Sequence, residues 1–275
     1  MKLQFAIVEG IRKLPSKGSL GKCPNCGEIV ISKCGNQRVH HWAHKSTRVC
    51  DTWWENETQW HIEWKNHFPQ DWHEISQSDQ SGQRHIADVK RPDGFVVEFQ
   101  HSHISEDERE QREAFYGRMV WVIDALRLKR STPCFQKAIR TARLICQNPI
   151  VLQVDDTSAL IKRWITSKKV VYFDFGNHQI TSEKLPQYNS PMIWRLDPSS
   201  TIYRAHLTPL PKSQLVADIR TCQMTQPSKS GLFEHIRLKT QRPLSHAPKT
   251  TTGKPLKEFE RYLAAKRRRR AAIRL

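Results

Sequence analysis

Asp88, Glu98 and Gln100 are the residues of this 275-residue chain whose types and spacing point most directly to chemistry. Between the two acids lies a Pro-Asp-Gly sequence, at residues 92–94. Proline presets the first position of a type I turn, and Gly94 can adopt the left-handed conformation that completes a three-residue hairpin loop with a G1 bulge. In that register Asp88 lies opposite Glu98, with Cβ atoms about 5 Å apart, and both carboxylates project from one face. Gln100 joins them, because alternate residues of a strand share a face.

This arrangement predicts a site for a hard divalent cation. Like charges directly opposed on neighbouring strands destabilise a hairpin, so a cation between them is favoured. Mg²⁺ (or Mn²⁺) binds carboxylate oxygens and keeps several water molecules, which suits attack on a phosphodiester. We therefore expect Asp88 and Glu98 to be Mg²⁺ ligands of a catalytic site. The alternative is a surface hairpin whose acidic face is only solvated. A two-residue loop would place the acids on opposite faces and exclude the site.

A third acid, Glu57, borders the apolar stripe of a helix predicted over residues 55–68. That stripe consists of aromatic residues at four-residue spacing, namely Trp60, Trp64 and Phe68. Glu57 lies within roughly 60° of the stripe, and His61 and Lys65 continue its line. We expect these three residues to face the catalytic site, whereas Glu63 lies on the far side and is solvated. The alternative is a Glu57–His61 pair on the helix surface.

The elements that must position these residues follow the order α-β-β-β-α-β. After the first helix, strands are predicted over residues 72–77, 84–90 and 95–101, then a helix from Glu106 to about Arg118 and a buried strand over 120–124. The second helix begins at a capping box, Ser105-Glu-Asp-Glu108. Helices that alternate with strands after a hairpin indicate an α/β fold, a mixed sheet with helices packed on it.

The chain divides into four segments by composition. Residues 1–50 open with a short strand over 3–8 and are rich in Gly, Cys and His, and residues 51–126 hold the pattern above. Residues 127–224 form an uncharacterised mixed α+β region, with a helix predicted near 136–146 and strands at 150–154, 170–175 and 192–196. Residues 225–275 are a flexible linker and basic tail.

The N-terminal segment carries the ligand types of a zinc site. Cys23 and Cys26 are separated by two residues, as are His41 and His44. Such tight pairs, about twenty residues apart, are typical of a structural, tetrahedral Zn²⁺ site, which would give this small module a reason to fold. Cys34 and Cys50 are further candidates for the fourth ligand. The alternative is a set of ordinary buried thiols.

The charge predicts a polyanionic partner. The chain has 45 Lys and Arg against 27 Asp and Glu, a net charge of +18. Half of this excess lies in residues 242–275, where the run Lys266, Arg267, Arg268, Arg269 and Arg270 is expected to bind DNA phosphates. An anionic membrane surface is the other class of partner. The alternative to a binding role is that the tail is disordered and only keeps the protein soluble. No spanning helix or signal peptide is predicted, so we expect a cytoplasmic protein without membrane attachment.

Taken in order, the motifs of residues 1–125 resemble those of the competence protein CoiA-like family. The matching sequences are Cys23-Pro-Asn-Cys-Gly, His41-Trp-Ala-His44, Glu57-x3-His61-x3-Lys65, Ala87-Asp88, Glu98-Phe-Gln100-His-Ser102, Ile104-Ser105 and Arg112-Glu-Ala-Phe-Tyr116. The resemblance implies a PD-(D/E)XK, restriction-endonuclease-like core. It also implies a Mg²⁺-dependent deoxyribonuclease that processes DNA during uptake or recombination, together with the proteins of those pathways. Asp88 and Glu98 would then be the metal ligands and Glu57 the helix acid.

Gln100 occupies the position of the motif lysine. A lysine there can position the attacking water and offset charge on the scissile phosphate, whereas a neutral amide can only position it. Lys65, His61 or His103 would have to supply the cationic or acid/base role. The alternative function is a non-catalytic DNA-binding accessory protein that keeps the nuclease fold, and a third is an interaction scaffold with an inert core.

Overall fold

The structure is a computed structural model that describes residues 1–37, 39–46, 50–155, 158–198 and 204–222. These residues fall within one compact unit that spans Met1–Ser228. The predicted basic run Lys266–Arg270 lies outside the described residues. Within the part described, none of the helices combines the length and apolar character that crossing a membrane requires.

The first described sheet belongs to the N-terminal residues. Its strands are β1 (Lys2–Leu3), β2 (Ala6–Val8), β3 (Ile11–Lys13), β4 (Leu20–Lys22), β5 (Ile29–Lys33) and β6 (His41–His44). They pair in the order β1-β6-β5-β4-β2-β3. One face is buried, with Leu3, Val30 and Trp42 at its centre, while the other faces solvent. The predicted strand over residues 3–8 is thus two short strands.

The second described sheet holds nine strands. These are β7 (His73–Ser78), β8 (Arg84–Lys90), β9 (Val96–Gln100), β10 (Met119–Asp124), β11 (Arg143–Gln147), β12 (Ile150–Asp155), β13 (Val170–Asp174), β14 (Met192–Leu196) and β15 (Arg204–Pro211). Their order is β11-β12-β15-β14-β13-β10-β9-β8-β7. Strand β10 is parallel to both β9 and β13, and the other pairs are antiparallel. The sheet is therefore mixed, as predicted.

Helices cover both faces of the large sheet. They are α1 (Gln59–Lys65), α2 (Glu106–Tyr116), α3 (Ser131–Thr141), α4 (Ala159–Trp164) and α5 (Lys212–Arg220), with a 3-10 turn over Gln70–Trp72. Residues of α2, α3 and α4 pack around Trp121 on one face. Residues of α1 and α5 pack around Val97 and Phe99 on the other. Elements α1 to β10 follow in the predicted order α-β-β-β-α-β.

The hairpin between β8 and β9 has the predicted register. Val89 pairs with Val97 and Lys90 with Val96. Arg91 and residue 95 close the loop through a backbone hydrogen bond of 2.9 Å, and Gly94 adopts φ +83°. The three-residue loop with a left-handed glycine is confirmed, because pairing of 89 with 97 and of 90 with 96 continues to 91 and 95 and leaves three residues, 92–94, in the loop.

Helix α1 is shorter than the predicted helix over 55–68. Thr58 caps its N-terminus: the Thr58 hydroxyl accepts from the backbone N–H of His61, and the His61 ring accepts from the backbone N–H of Thr58. This capping box fixes the start of the helix. Glu57 therefore precedes the helix and extends from a loop, which corrects its placement on the helix itself.

The predicted helix over 136–146 is wrong in its second half. Helix α3 ends at Thr141, and Ala142 is extended, with ψ 151°. Residues 143–147 instead form β11, which pairs with β12 across a turn at Asn148–Pro149. Tertiary pairing with β12 outweighs the helical pattern here. The strands predicted over 150–154, 170–175 and 192–196 are present, within one residue at their ends.

Candidate active site and metal cluster

The acidic residues predicted for the catalytic site meet in one pocket, between strand β1 of the small sheet and strands β8 and β9. Residues of β1, the 51–57 loop, helix α1 and strands β7 to β9 contribute, as does Arg112 of α2. The lining residues are Met1, Lys2, Leu3, Asp51, Trp53, Trp54, Glu55, Glu57, His61, Lys65, Glu74, Ile86, Asp88, Glu98 and Arg112. The hairpin brings Asp88 and Glu98 there from adjacent strands, as its register requires.

Asp88 and Glu98 are held by each other's strands. The backbone N–H of Asp88 donates to Oε1 of Glu98 at 3.2 Å, and the backbone N–H of Phe99 donates to Oδ2 of Asp88 at 2.9 Å. These bonds replace ladder hydrogen bonds beyond the Val89–Val97 pair, so the two carboxylates lie between the strands. Oxygens fixed in this way are preorganised to accept a cation.

Burial and charge both act on Glu98. Its side chain is 4 % exposed, and Arg112 lies 3.2 Å away, from Nη1 to Oε2. Burial, and to a lesser extent the Asp88 carboxylate, raise the pKa of Glu98 to about 8 against the opposing effect of Arg112. A carboxylate that resists ionisation in this position gains from a nearby divalent charge, because the cation favours the ionised form.

Lys65 is a buried cation surrounded by acids. Its Nζ lies 2.8 Å from Glu57, 3.2 Å from Glu74 and 3.7 Å from Asp88. Burial by itself would lower the pKa of Lys65, but the three carboxylates outweigh this effect and hold the pKa above its ordinary value. Lys65 therefore remains charged, and its ammonium group touches one of the two hairpin acids.

Glu74 is a member of the acidic group that the sequence analysis missed. Its Oε2 accepts from the backbone N–H of Gln4 at 2.7 Å, and its Oε1 faces Lys65. Burial raises the pKa of Glu74, with Lys65 acting in the opposite direction. Glu74 also adopts φ +46°, which L residues rarely adopt. The predicted strand over 72–77 contained this residue, but strand pattern alone gives no sign that one acid within it is buried.

His61 and Gln100 are engaged elsewhere. The ring of His61 caps helix α1 through Nδ1, and its Nε2 donates to the carbonyl oxygen of Phe99 at 3.1 Å. The Gln100 amide donates to Glu55 Oε1 at 2.6 Å, and the backbone N–H of Ser102 donates to the other Glu55 oxygen. Both nitrogens of His61 thus serve the fold. Gln100 is tied to the 51–57 loop and does not line the pocket. Glu63, on α1, is exposed as predicted.

A second cluster, of cysteine and histidine, lies in the N-terminal module. The ligand atoms of Cys23, Cys26, His44 and Cys50 all lie within 4.8 Å of one another. Cys23 Sγ is 3.7 Å from Cys50 Sγ, and Cys26 Sγ is 3.3 Å from His44 Nε2. Two sulfurs on one tetrahedral zinc ion, with bonds of about 2.3 Å, are about 3.8 Å apart. The donor set and the spacing therefore fit a metal such as zinc.

His41 does not belong to this cluster, although the sequence analysis placed it there. His41 and His44 lie on one strand, β6. Residues three apart on a strand point to opposite faces, so only one of the two can face the knuckle, which is the turn that carries Cys23 and Cys26. His44 is on the buried side, while His41 is partly exposed and its Nδ1 contacts the carbonyl oxygen of Val39. Cys50, named above as a further candidate, takes the fourth place.

The cluster thiols are electrostatically coupled. The hydrogen bond with Cys50 lowers the pKa of Cys23 to about 5, whereas the same contact raises the pKa of Cys50 above its ordinary value. One thiolate therefore forms readily and the second resists, until a cation joins them. Asn25, between the knuckle cysteines, is 1 % exposed and donates to the carbonyl oxygen of Cys50 at 3.2 Å.

The cluster and the acidic pocket are joined through the chain. Cys50 is followed by Asp51, whose carboxylate accepts from His85 at 2.7 Å and from the backbone N–H of residue 86 at 2.8 Å. It also accepts from the backbone N–H of Trp53 at 2.9 Å, and the Trp53 carbonyl oxygen accepts from Arg112 at 2.6 Å. Arg112 in turn contacts Glu98. A ligand of the cluster therefore helps to position the buried partner of a pocket acid.

Part of the chain matches a known protein family. Residues 11–52 match the family model described as competence protein CoiA, N-terminal domain. No curated protein and no solved structure is significantly similar to the chain. The matched segment holds all four residues of the cysteine/histidine cluster. The resemblance stated from the motifs is thereby supported over the N-terminal module, where residues 11–52 are similar to the CoiA N-terminal domain.

Proposed function

We propose that this protein is a divalent-metal-dependent deoxyribonuclease of the PD-(D/E)XK type. The observation that carries the proposal is the pocket in which Asp88 and Glu98, from paired strands, meet Glu57 and Lys65. The order α-β-β-β-α-β of the surrounding elements supports the same assignment. The CoiA-like module, and the competence that its name records, favour DNA as substrate, in uptake or recombination and in concert with proteins of those processes.

Asp88 and Glu98 would hold Mg²⁺ or Mn²⁺, because they are the two carboxylates fixed side by side by backbone hydrogen bonds. Such an ion, when bound, polarises a phosphate oxygen and lowers the pKa of a bound water. Glu57 is the most exposed acid around Lys65, at 26 % of its side chain, and is placed to accept a proton or order a water. Arg112 holds Glu98 in position from the opposite side.

Gln100 occupies the position of the motif lysine, and Lys65 takes over the role that a lysine at that position would have. A buried ammonium 3.7 Å from Asp88 can offset negative charge that develops on a phosphate next to that acid. Because Lys65 remains charged, it suits electrostatic stabilisation of the phosphate and does not suit the role of a general base. His61, with both nitrogens engaged, positions α1 against β9 and so acts on the site through Lys65.

The alternative is a non-catalytic DNA-binding accessory protein with the same fold. One observation favours it: Glu98 already has a buried cationic partner, Arg112, which neutralises the charge that would attract a metal. The two functions differ in whether a divalent ion displaces that pairing. A cleavage assay decides between them.

The test is incubation of the purified protein with linear, circular and single-stranded DNA, in Mg²⁺ or Mn²⁺ and in chelator. We expect metal-dependent cleavage that Asp88→Ala and Glu98→Ala each reduce at least a hundredfold, as the loss of metal-site residues commonly does. The double variant should be little worse than either, since the two acids act as one unit. DNA binding should persist in all three.

Glu57→Gln should also impair cleavage strongly. The matched control is Glu63→Gln, because Glu63 lies six residues away, is exposed and faces solvent. An equal effect of the two substitutions would indicate a diffuse acidic patch. Metal-dependent cleavage that survives both Asp88→Ala and Glu98→Ala would contradict the proposed site. No cleavage of any DNA form by the wild-type protein would support the accessory function.

A further inference from the structure

The positive charge of the chain is concentrated at two places. Residues 1–50 hold nine Lys and Arg against two acidic residues, and residues 242–275 hold eleven against two. The 191 residues between them are nearly balanced, with 25 Lys and Arg against 23 acids. The N-terminal module therefore has a field of its own, beyond what folding around a metal requires.

Much of that charge lies on one face of the small sheet. Lys2 pairs with Ala43, Ala43 with Ile31, and Ile31 with Leu20. Directly opposed and alternate residues share a face. On strands β1, β4, β5 and β6 the residues of this face, called the basic sheet face below, are Lys2, Leu20, Lys22, Ile29, Ile31, Lys33, His41 and Ala43, with Lys45 directly after β6.

Solvent reaches the basic sheet face, and no acid lies among these described strand positions. Lys22, Lys33 and Lys45 are exposed, and Leu20 and Ile29 are 63 % and 52 % exposed. The opposite face carries the buried Trp42 and Val30 and packs toward the large sheet. Lysines interleaved with aliphatic side chains provide cations for phosphates and apolar contact for sugars and bases.

The basic sheet face leads to the acidic pocket. A groove of about 550 Å³ is lined by His40 and His41 together with Leu14 and Glu57. Lys2, Leu3 and Glu57 line both this groove and the acidic pocket, so the two are continuous. A volume of this size holds a drug-sized molecule, which is comparable to a nucleotide or two of one strand and is too small to enclose a duplex.

We propose that the basic sheet face and its groove form a binding track for a single nucleic-acid strand, held by its phosphates and delivered to the acidic pocket. Charge complementarity selects a polyanion. The concave path to a phosphodiester-cleaving site selects a strand over a flat membrane surface. The track rests on the proposed nuclease function for its destination, but its affinity does not depend on cleavage.

The experiment measures binding of a fluorescent single-stranded oligonucleotide to the full-length protein in chelator, so that no cleavage is required. The test variant is Lys22→Gln/Lys33→Gln/Lys45→Gln. The control is Lys129→Gln/Lys137→Gln/Lys168→Gln, which removes three exposed lysines of the large-sheet region and leaves the same net charge. We expect the test variant to bind at least tenfold more weakly. The magnitude of the slope of log K against log salt should also fall by about 2. The control variant should change neither quantity appreciably.

A photo-reactive side chain in place of His41 provides a second measurement that leaves the lysines intact. It should cross-link to the oligonucleotide, whereas the same group in place of Lys137 should not. Equal weakening by both triple variants, or no cross-link from position 41, would overturn the track. Binding of vesicles with anionic lipid that falls in the test variant while oligonucleotide binding is unchanged would also overturn it, in favour of a membrane surface. Because cleavage is not measured, an inactive enzyme with an intact track would still be recognised.

Discussion

Glu98 should make the stability of the metal-free protein fall as the pH rises. In the folded state its pKa is about 8, against an ordinary value of 4.5. Below pH 4.5 the carboxyl is protonated in both folded and unfolded chains and has no effect. Between pH 4.5 and 8 the unfolded chain loses the proton while the folded protein retains it, so the unfolded state is increasingly favoured. Above pH 8 the penalty is constant.

The size of the penalty follows from the shift. Each pKa unit corresponds to about 1.4 kcal/mol, so the full penalty is on the order of a few kcal/mol. Glu98→Gln is neutral at every pH and mimics the protonated acid. Its melting temperature should match that of the wild type near pH 5 and exceed it by several degrees at pH 8.5, since about 1 kcal/mol moves the melting temperature of a domain this large by roughly 2–4 °C.

The measurement is thermal unfolding in chelator across pH 5–9, followed by circular dichroism. The matched control is Glu108→Gln, which removes the other carboxylate partner of Arg112, at 2.5 Å, and leaves Glu98 in place. It should keep the wild-type pH slope. A difference between Glu98→Gln and wild type that does not grow with pH would refute the assigned cause. Saturating Mg²⁺ should stabilise the wild type at pH 8.5 and not Glu98→Gln, because only the former retains both metal ligands.

Two further outcomes are expected. Elemental analysis should find about one zinc per chain, which Cys50→Ser reduces and His41→Ala does not, because only Cys50 belongs to the cluster; equal loss in both variants would contradict the assignment. Deletion of residues 257–275 should weaken DNA binding uniformly across sequences and flatten its salt dependence, and an unchanged affinity and slope would assign the basic run Lys266–Arg270 to another purpose.

Local chemistry in the sequence predicted the hairpin register at the centre of the candidate site. The Pro-Asp-Gly turn admits one loop length, and that loop length fixes which residues of β8 and β9 face each other. Asp88 and Glu98 followed from this geometry without any knowledge of the rest of the fold. The helix after Ser105 and its cap at Ser105 were predictable for the same reason, since caps and turns depend on neighbouring residues.

Contacts between distant segments were beyond prediction. Glu74 reaches Lys65 and Gln4 across the chain, and no local pattern distinguishes it from a solvated strand residue. Gln100 was predicted to face the pocket, but Glu55, 45 residues earlier, binds its amide. His41 was misassigned because the spacing of the pair suits zinc, whereas two residues three apart on one strand point to opposite faces. Each miss arises where tertiary contacts choose between chemically equivalent candidates.

Asn25 shapes the order in which the chain can fold and open. Its carboxamide accepts from Ser76 on β7 at 2.7 Å, and its carbonyl oxygen accepts from Arg84 on β8 at 3.0 Å. Strand β7 is an edge of the large sheet, so the knuckle covers part of an edge that would otherwise be open to pairing. During synthesis the knuckle leaves the ribosome more than fifty residues before these anchors. Metal can therefore bind its ligands early, but the module docks only once β7 and β8 have emerged. After chelation, the backbone amides of the β7 edge should lose their protection from hydrogen exchange first.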